Sequence, residues 1–172
     1  MIISYEGKAP KIARSAFIAP TAVIIGDVHI SDGVSIWYGV VIRGDMERVI
    51  VGEDTNIQDN CTVHTDHGYP SIIGPRVSVV HTAVLHGCEI EADCLIGIGA
   101  VILSGSRIGS GSVVAAGSLV SEGQKIGSGE LAAGTPARLK RGLTKADIRR
   151  FAATVQNYKT LSHEHAKLFA AD

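Results

Sequence analysis

The stretch IEADCLIGIGAVILSGSRIGSGSVVAAGSLVSEGQKI, residues 90–126, carries an aliphatic side chain at every sixth position: Ile90, Ile96, Ile102, Ile108, Val114, Val120 and Ile126. Four residues after most of these stands a smaller side chain: Cys94, Ala100, Ser106, Ser112 and Ser118. Neither the 3.6-residue period of a helix nor plain strand alternation sustains two inward positions in six. A six-residue period marks a parallel β-helix: each unit is one short side of a coil, and stacked coils share one core. Three units make a triangular coil of roughly eighteen residues.

Outward from that stretch the ladder continues. It runs back through Ile73, Val79 and Leu85, through Val51, Ile57 and Val63, and through Ile18, Ile24, Ile30, Ile36 and Ile42. Its smaller partners are Ala22, Val28, Val34, Val40, Thr55, Cys61, Val77 and Ala83. A β-sandwich would space its strands irregularly between turn signals. The pattern predicts an all-β solenoid over 18–136, preceded by a capping segment over 1–17.

Composition agrees with one such domain. The 172 residues suffice for a real core, and the 20 glycines suit a chain that turns a corner every few residues. A net charge of -1 leaves no overall footprint for a polyanion, so nucleic acid is not an expected partner. No run of eighteen apolar residues is present and Met1–Pro10 has no signal-peptide pattern, so no membrane partner is expected and the reading is cytoplasmic. Cys61, Cys88 and Cys94 are odd in number and fall at or near inward positions, which reads as small reduced core residues.

The ladder breaks in three places. Three extra residues lie between Ile42 and Val51, four extra between Val63 and Ile73, and one is missing between Leu85 and Ile90. Loops in a solenoid are where function is added without disturbing the core, and these breaks bracket His64, His81 and His86. Counting coil positions puts Ile42, Val63 and Leu85 at one corner of successive coils. Arg43, His64 and His86, each one residue later, then form a column on one face. Rungs of a parallel sheet lie about 4.8 Å apart, so imidazoles on adjacent coils can reach one ion.

His81 follows Val79 by two, in the column that also holds Tyr38 and Asp59. Five residues of extended chain span roughly 16 Å, too far from His86 for two nitrogens each about 2.0 to 2.1 Å from one zinc. If one face packs against the next face of a neighbouring copy, His81 of the second chain completes the set, and a triangular section favours a closed ring of three. Three histidines plus an open position is the layout of catalytic zinc sites, where a fourth ligand, water, is acidified toward a pKa near ~7.

Four segments make a resemblance specific: Arg43-Gly44-Asp45, Asn56-Ile57-Gln58-Asp59-Asn60, Val63-His64-Thr65, and His81-Thr82-Ala83-Val84-Leu85-His86-Gly87-Cys88. Together with the ladder over about 18–136 they resemble the gamma-class carbonic anhydrases of the hexapeptide-repeat superfamily. The resemblance implies a left-handed parallel β-helix, a homotrimer, and one metal per interface. Its ligands are His64 and His86 from one chain and His81 from the next, holding Zn2+, or equally Fe2+ or Co2+, since imidazole suits all three. It further implies that Arg43 pairs with Asp59 across the interface, that Gln58 lies near the metal-bound water, and that Asp45 orients Arg43 or a ligand histidine. The activity implied is reversible hydration of CO2 to bicarbonate by a metal-bound hydroxide.

Two departures from the family's pattern bear on proton transfer, and Val80 stands where a glycine is usual before the middle histidine. The family's prototype carries a glutamate after the aspartate of Arg-Gly-Asp and a longer acidic loop, which together export protons; here stand Met46 and the short insertion Asp66-His67-Gly68-Tyr69-Pro70-Ser71. His67 or Glu47 is left to move the proton. Two alternatives therefore stay open: a metal-binding assembly protein with weak or no turnover, and a CoA-dependent hexapeptide acyltransferase.

The tail is of another kind. Thr144 and Asp147 read as a capping pair. Ile148, Phe151, Ala152, Val155, Tyr158 and Leu161 or Ser162 follow at helical spacing, predicting a helix over 143–170 packed along the prism. Asn157-Tyr158 resembles a pair common at this place in the family, where the tyrosine reaches the active site.

Overall fold

Ile36 pairs with Ile57, Ile57 with Val79, Val79 with Ile96 and Ile96 with Val114, one parallel pair per coil. These rungs are seen in a computed structural model that describes residues 1–169. A second ladder joins Ile24, Ile42, Val63, Leu85, Ile102 and Val120. A third joins Ile30, Val51, Ile73, Ile90, Ile108 and Ile126. Three ladders make three faces, and the molecule is a left-handed parallel β-helix of about 7 coils with one C-terminal helix.

The core sits inside the triangle. The smaller inward residues, from Ala22 to Ser118, are as fully buried as the large ladder residues. Buried hydroxyls among them are satisfied by backbone: Thr55 donates to Gly74 O at 2.8 Å and Ser112 to Gly127 O at 2.6 Å. Cys61, Cys88 and Cys94 are free and buried. Loss of solvation pushes their thiols up to about 12, about 12 and about 11 respectively. The first residues are part of the solenoid wall as well: Ile2–Ile3 and Lys11–Ile12 each pair in parallel with Val23–Ile30. At the far end Glu130–Ala133 is closed by the antiparallel strand Arg138–Gly142.

Two long strands turn a corner without a break, Val23–Ile30 and Val41–Val51. Where they cross that corner their register shifts between Gly26 and Val28. A Cβ on Gly44 would fall 2.5 Å from Asp27 O, so the backbones approach here only because glycine carries none. This contact sets the course of Arg43-Gly44-Asp45.

Helix α1, Lys145–Lys167, starts at a complete capping box: Asp147 N donates to Thr144 Oγ1 at 3.2 Å and Thr144 N donates to Asp147 Oδ2 at 2.9 Å. It is shorter than the predicted 143–170, and residue 170 lies outside the described residues. The helix runs back along the face built from Phe17–Ile18, Ser35–Ile36 and Asn56–Ile57. Only part of its predicted stripe is covered. Ser162 rather than Leu161 is buried, while Ile148 is 53% exposed and Ala152 is exposed. The closest packing lies toward the C-terminal half, where Tyr158 meets Trp37 edge-on, ring centres 5.1 Å apart. The first turns stand off, leaving a cavity of about 470 Å³ lined by Phe151, Val155 and Cys94 among others.

Candidate metal centre

His64 and His86 are direct partners in the parallel ladder, one residue beyond the corner formed by Val63 and Leu85. His64 Nδ1 stands 3.2 Å from His86 Nε2. The remaining nitrogen of each ring is already engaged. His64 Nε2 lies 3.0 Å from Asp45 Oδ1, and since a carboxylate only accepts, Nε2 carries the proton and Nδ1 keeps its lone pair. His86 Nδ1 lies 2.9 Å from Ser104 Oγ, and Ser104 Oγ lies 3.4 Å from Asp66 Oδ2. With its hydroxyl proton turned to Asp66, Ser104 accepts from His86 Nδ1–H, which leaves the Nε2 lone pair. These tautomers are assigned from hydrogen-bond partners. They point two lone pairs at each other, an arrangement that is repulsive until a cation or a proton lies between them.

Asp45 holds the other end of this network. Its Oδ2 accepts from Arg43 Nη1, so one carboxylate orients both the arginine and the histidine of the same column. Burial pushes the Asp45 carboxyl up, but the hydrogen bonds from Arg43 and His64 outweigh it and hold it below the ordinary value.

His81 occupies the turn after Ser78–Val79, with Asp59 beneath it: Thr82 N donates to Asp59 O at 3.0 Å. His81 Nδ1 lies 3.0 Å from Asp59 Oδ2, which fixes the proton there and leaves Nε2 as the free acceptor. Thr82 holds the turn with a φ of 60°, in the left-handed region that β-branched residues avoid. In one chain Arg43 pairs with Asp45 and Asp59 with His81, on different faces. Among the described residues of one copy, no three His, Cys, Asp or Glu side chains converge on a point.

The remaining candidates lie near one column or the other. Gln58 is 1% exposed and its Nε2 donates to Asn56 Oδ1 at 2.9 Å. Tyr158 is half-buried, and desolvation first, then the charge of Asp59, pushes its hydroxyl up. Glu47 Oε1 accepts from Gly68 N at 3.2 Å, and His67 is exposed on the same loop. Met46, between Asp45 and Glu47, is 42% exposed. Sequence reasoning missed Ser104 and Asp66. Asp66 stood in the noted insertion, two residues after His64, but nothing in the six-residue ladder marks Ser104 as a neighbour of His86.

A ligand pair held 2.0 to 2.1 Å from a tetrahedral zinc has its nitrogens about 3.3 to 3.4 Å apart, close to the separation found between His64 and His86. A hydrogen-bond acceptor behind the ring, most often a carboxylate, a backbone carbonyl or water, is the usual support of a metal-binding imidazole; Asp45 is such a carboxylate, and the Ser104 hydroxyl takes the same place behind His86. The residues present fit a divalent cation.

Comparison with known proteins agrees with this architecture. Residues 87–122 match the model described as bacterial transferase hexapeptide, six repeats. The carbonic anhydrase of Geobacillus kaustophilus is 50% identical over 149 residues, 87% of this chain and 82% of that protein. Gamma carbonic anhydrase 1, mitochondrial, of Arabidopsis thaliana is 47% identical over 165 residues, 92% of this chain; the chain spans 60% of that protein's length. A Bacillus cereus crystal structure described as an acetyltransferase superposes with a TM-score of 0.96 at 44% identity, covering 97% of each chain. Since half of the aligned residues are shared with a carbonic anhydrase across most of both chains, on a solenoid that stacks two of the three histidines, the chain belongs to the gamma carbonic anhydrase family.

Proposed function

We propose that the protein is a homotrimer that binds one divalent metal, Zn2+ or equally Fe2+ or Co2+, at each interface and interconverts CO2 and bicarbonate there. His64 and His86 of one copy and His81 of the next are the ligands. The observation that carries this reading is the pair of opposed lone pairs, His64 Nδ1 and His86 Nε2, 3.2 Å apart with both outer nitrogens engaged. His81, with Nδ1 held by Asp59, presents a third lone pair of the same kind.

The metal, when bound, supplies the Lewis acidity that brings the pKa of water toward neutrality. This chain's residues do the rest. Asp45 and Ser104 keep His64 and His86 in the ligating tautomer. Gln58 gives its amide N–H to Asn56, which leaves its carbonyl oxygen as the acceptor that orients water. Tyr158, with its hydroxyl kept protonated, donates a hydrogen bond at the same place. Arg43 retains donors beyond those given to Asp45, and these meet Asp59 of the adjoining copy, fixing register between subunits. Glu47 and His67 are the groups placed to pass a proton to solvent.

A second reading, a metal-holding assembly protein without turnover, is favoured by Met46, which puts an exposed thioether where the family prototype has a proton-accepting carboxylate. Metal analysis with stopped-flow CO2 hydration separates the two. Bound metal with metal-dependent hydration supports the first reading, metal without hydration supports the second, and acetyl-CoA turnover without metal overturns both.

A further inference from the structure

The far end of the prism is strongly cationic. Between Arg138 and Arg150 stand six basic residues, Arg138, Lys140, Arg141, Lys145, Arg149 and Arg150, against the single acid Asp147. Asp147 neutralises Arg141 through Nη1 at 2.6 Å. The other five are exposed, and none pairs with a carboxylate among the described residues. Two large apolar side chains lie in the same stretch: Leu139, 58% exposed on the edge strand, and Ile148, 53% exposed at the cavity beneath α1.

Local structure explains only part of this. Arg138–Gly142 is the edge of its sheet, and charge on an edge strand blocks pairing with other chains. That accounts for Arg138 and Lys140. It does not account for Lys145, Arg149 and Arg150, which crowd the first turns of α1, where the helix dipole favours anions and disfavours cations. Nor does it account for a leucine left in water on the edge strand.

We propose, against the expectation of no membrane partner that the lack of an apolar span suggested, that this end of the molecule docks peripherally on an anionic lipid surface. Five unneutralised cations supply attraction to the headgroups, and Leu139 enters the interface beside them. The exposed leucine is what favours lipid over nucleic acid. The stretch from Arg138 to Arg150 holds no aromatic ring to stack on a base, and the chain as a whole carries a charge of -1. Closed three-fold packing, which rests on the reading above, would multiply attachment by adding copies of the patch. The proposal itself requires only one patch and no metal, so a failure of the metal reading leaves it standing.

The test is sedimentation of the full chain with vesicles of phosphatidylcholine plus phosphatidylglycerol, beside pure phosphatidylcholine, at low and at physiological salt. Binding to the anionic vesicles alone, weakened by salt, is expected. Arg149→Glu with Arg150→Glu lowers partitioning roughly tenfold or more. Leu139→Ser lowers it at unchanged charge, with circular dichroism showing the fold intact in both variants. Equal binding by the double variant, no binding to anionic vesicles, or tighter binding to a single-stranded oligonucleotide than to the vesicles would each overturn the proposal.

Discussion

His64 Nδ1 and His86 Nε2 face each other across 3.2 Å, on rungs that are direct neighbours in the parallel ladder. Each ring is turned by a different support, Asp45 behind His64 and Ser104 behind His86. Replacing either support leaves the ligands in place but frees the tautomer. Asp45→Asn and Ser104→Ala are each expected to weaken metal binding by roughly 10- to 100-fold, read by competition with a chromophoric chelator. Unchanged affinity in both would remove the supports from the account.

Gly44→Ala tests how the strand crossing aims Asp45. The new Cβ meets Asp27 O at 2.5 Å and Glu47 O at 3.2 Å, both backbone atoms that cannot step aside cheaply. The expected loss is about 1–3 kcal/mol of stability, in denaturant melts. Metal affinity should fall with it, because the neighbouring Arg43 and Asp45 move together.

The three cysteines predict an alkaline weakness. Their thiols stay protonated in the fold to about 12, about 12 and about 11, but ionise near ~8.5 once unfolded. Because the folded values are raised, the stabilisation is complete below ~8.5 and is lost as pH rises toward the folded values. Stability should therefore decline from about pH 9 upward. At pH 8 the native protein should leave all three thiols unreactive toward a disulfide reagent, and denaturant should expose them together.

Helix α1 has an acid-sensitive start. Hydrogen bonds from Arg141 and from Thr144 hold the Asp147 carboxyl well below its ordinary value. A lowered folded value means the cap is fully effective above ~3.9 and is lost as pH falls through the folded one. Helical signal should begin to fall below about pH 4, and Asp147→Asn should show the reduced signal at neutral pH. An identical acid profile in the variant would count against the capping role.

Much of this molecule is readable in its sequence because a solenoid turns distance along the chain into position in space. Counting sixes, and treating the additions after Ile42 and Val63 as loops, puts Ile42, Val63 and Leu85 at one corner, and the pairings of all three agree. The same count separates the column of His81 and Asp59 from that of Arg43, His64 and His86. Ser104 was not readable, because its contact with His86 depends on how side chains lean across the shortened side between Leu85 and Ile90. The helix shows a different limit. Ile148 and Leu161 keep the period of a buried stripe, yet only the part of α1 around Tyr158 and Ser162 packs closely, since the first turns diverge from the solenoid face.

The claim that the site is shared between copies has its most direct test in chain mixing. His81→Ala chains keep the stacked pair and His86→Ala chains keep the third ligand, so neither alone builds a complete site. Co-assembled, every mixed trimer contains one interface at which an intact pair faces an intact His81. Metal analysis of mixed trimers, purified by two affinity tags, is expected to find one tightly bound ion per trimer where each parent homotrimer has none. Mixed trimers as empty as their parents, or His81→Ala homotrimers that hold metal as tightly as wild type, would contradict it.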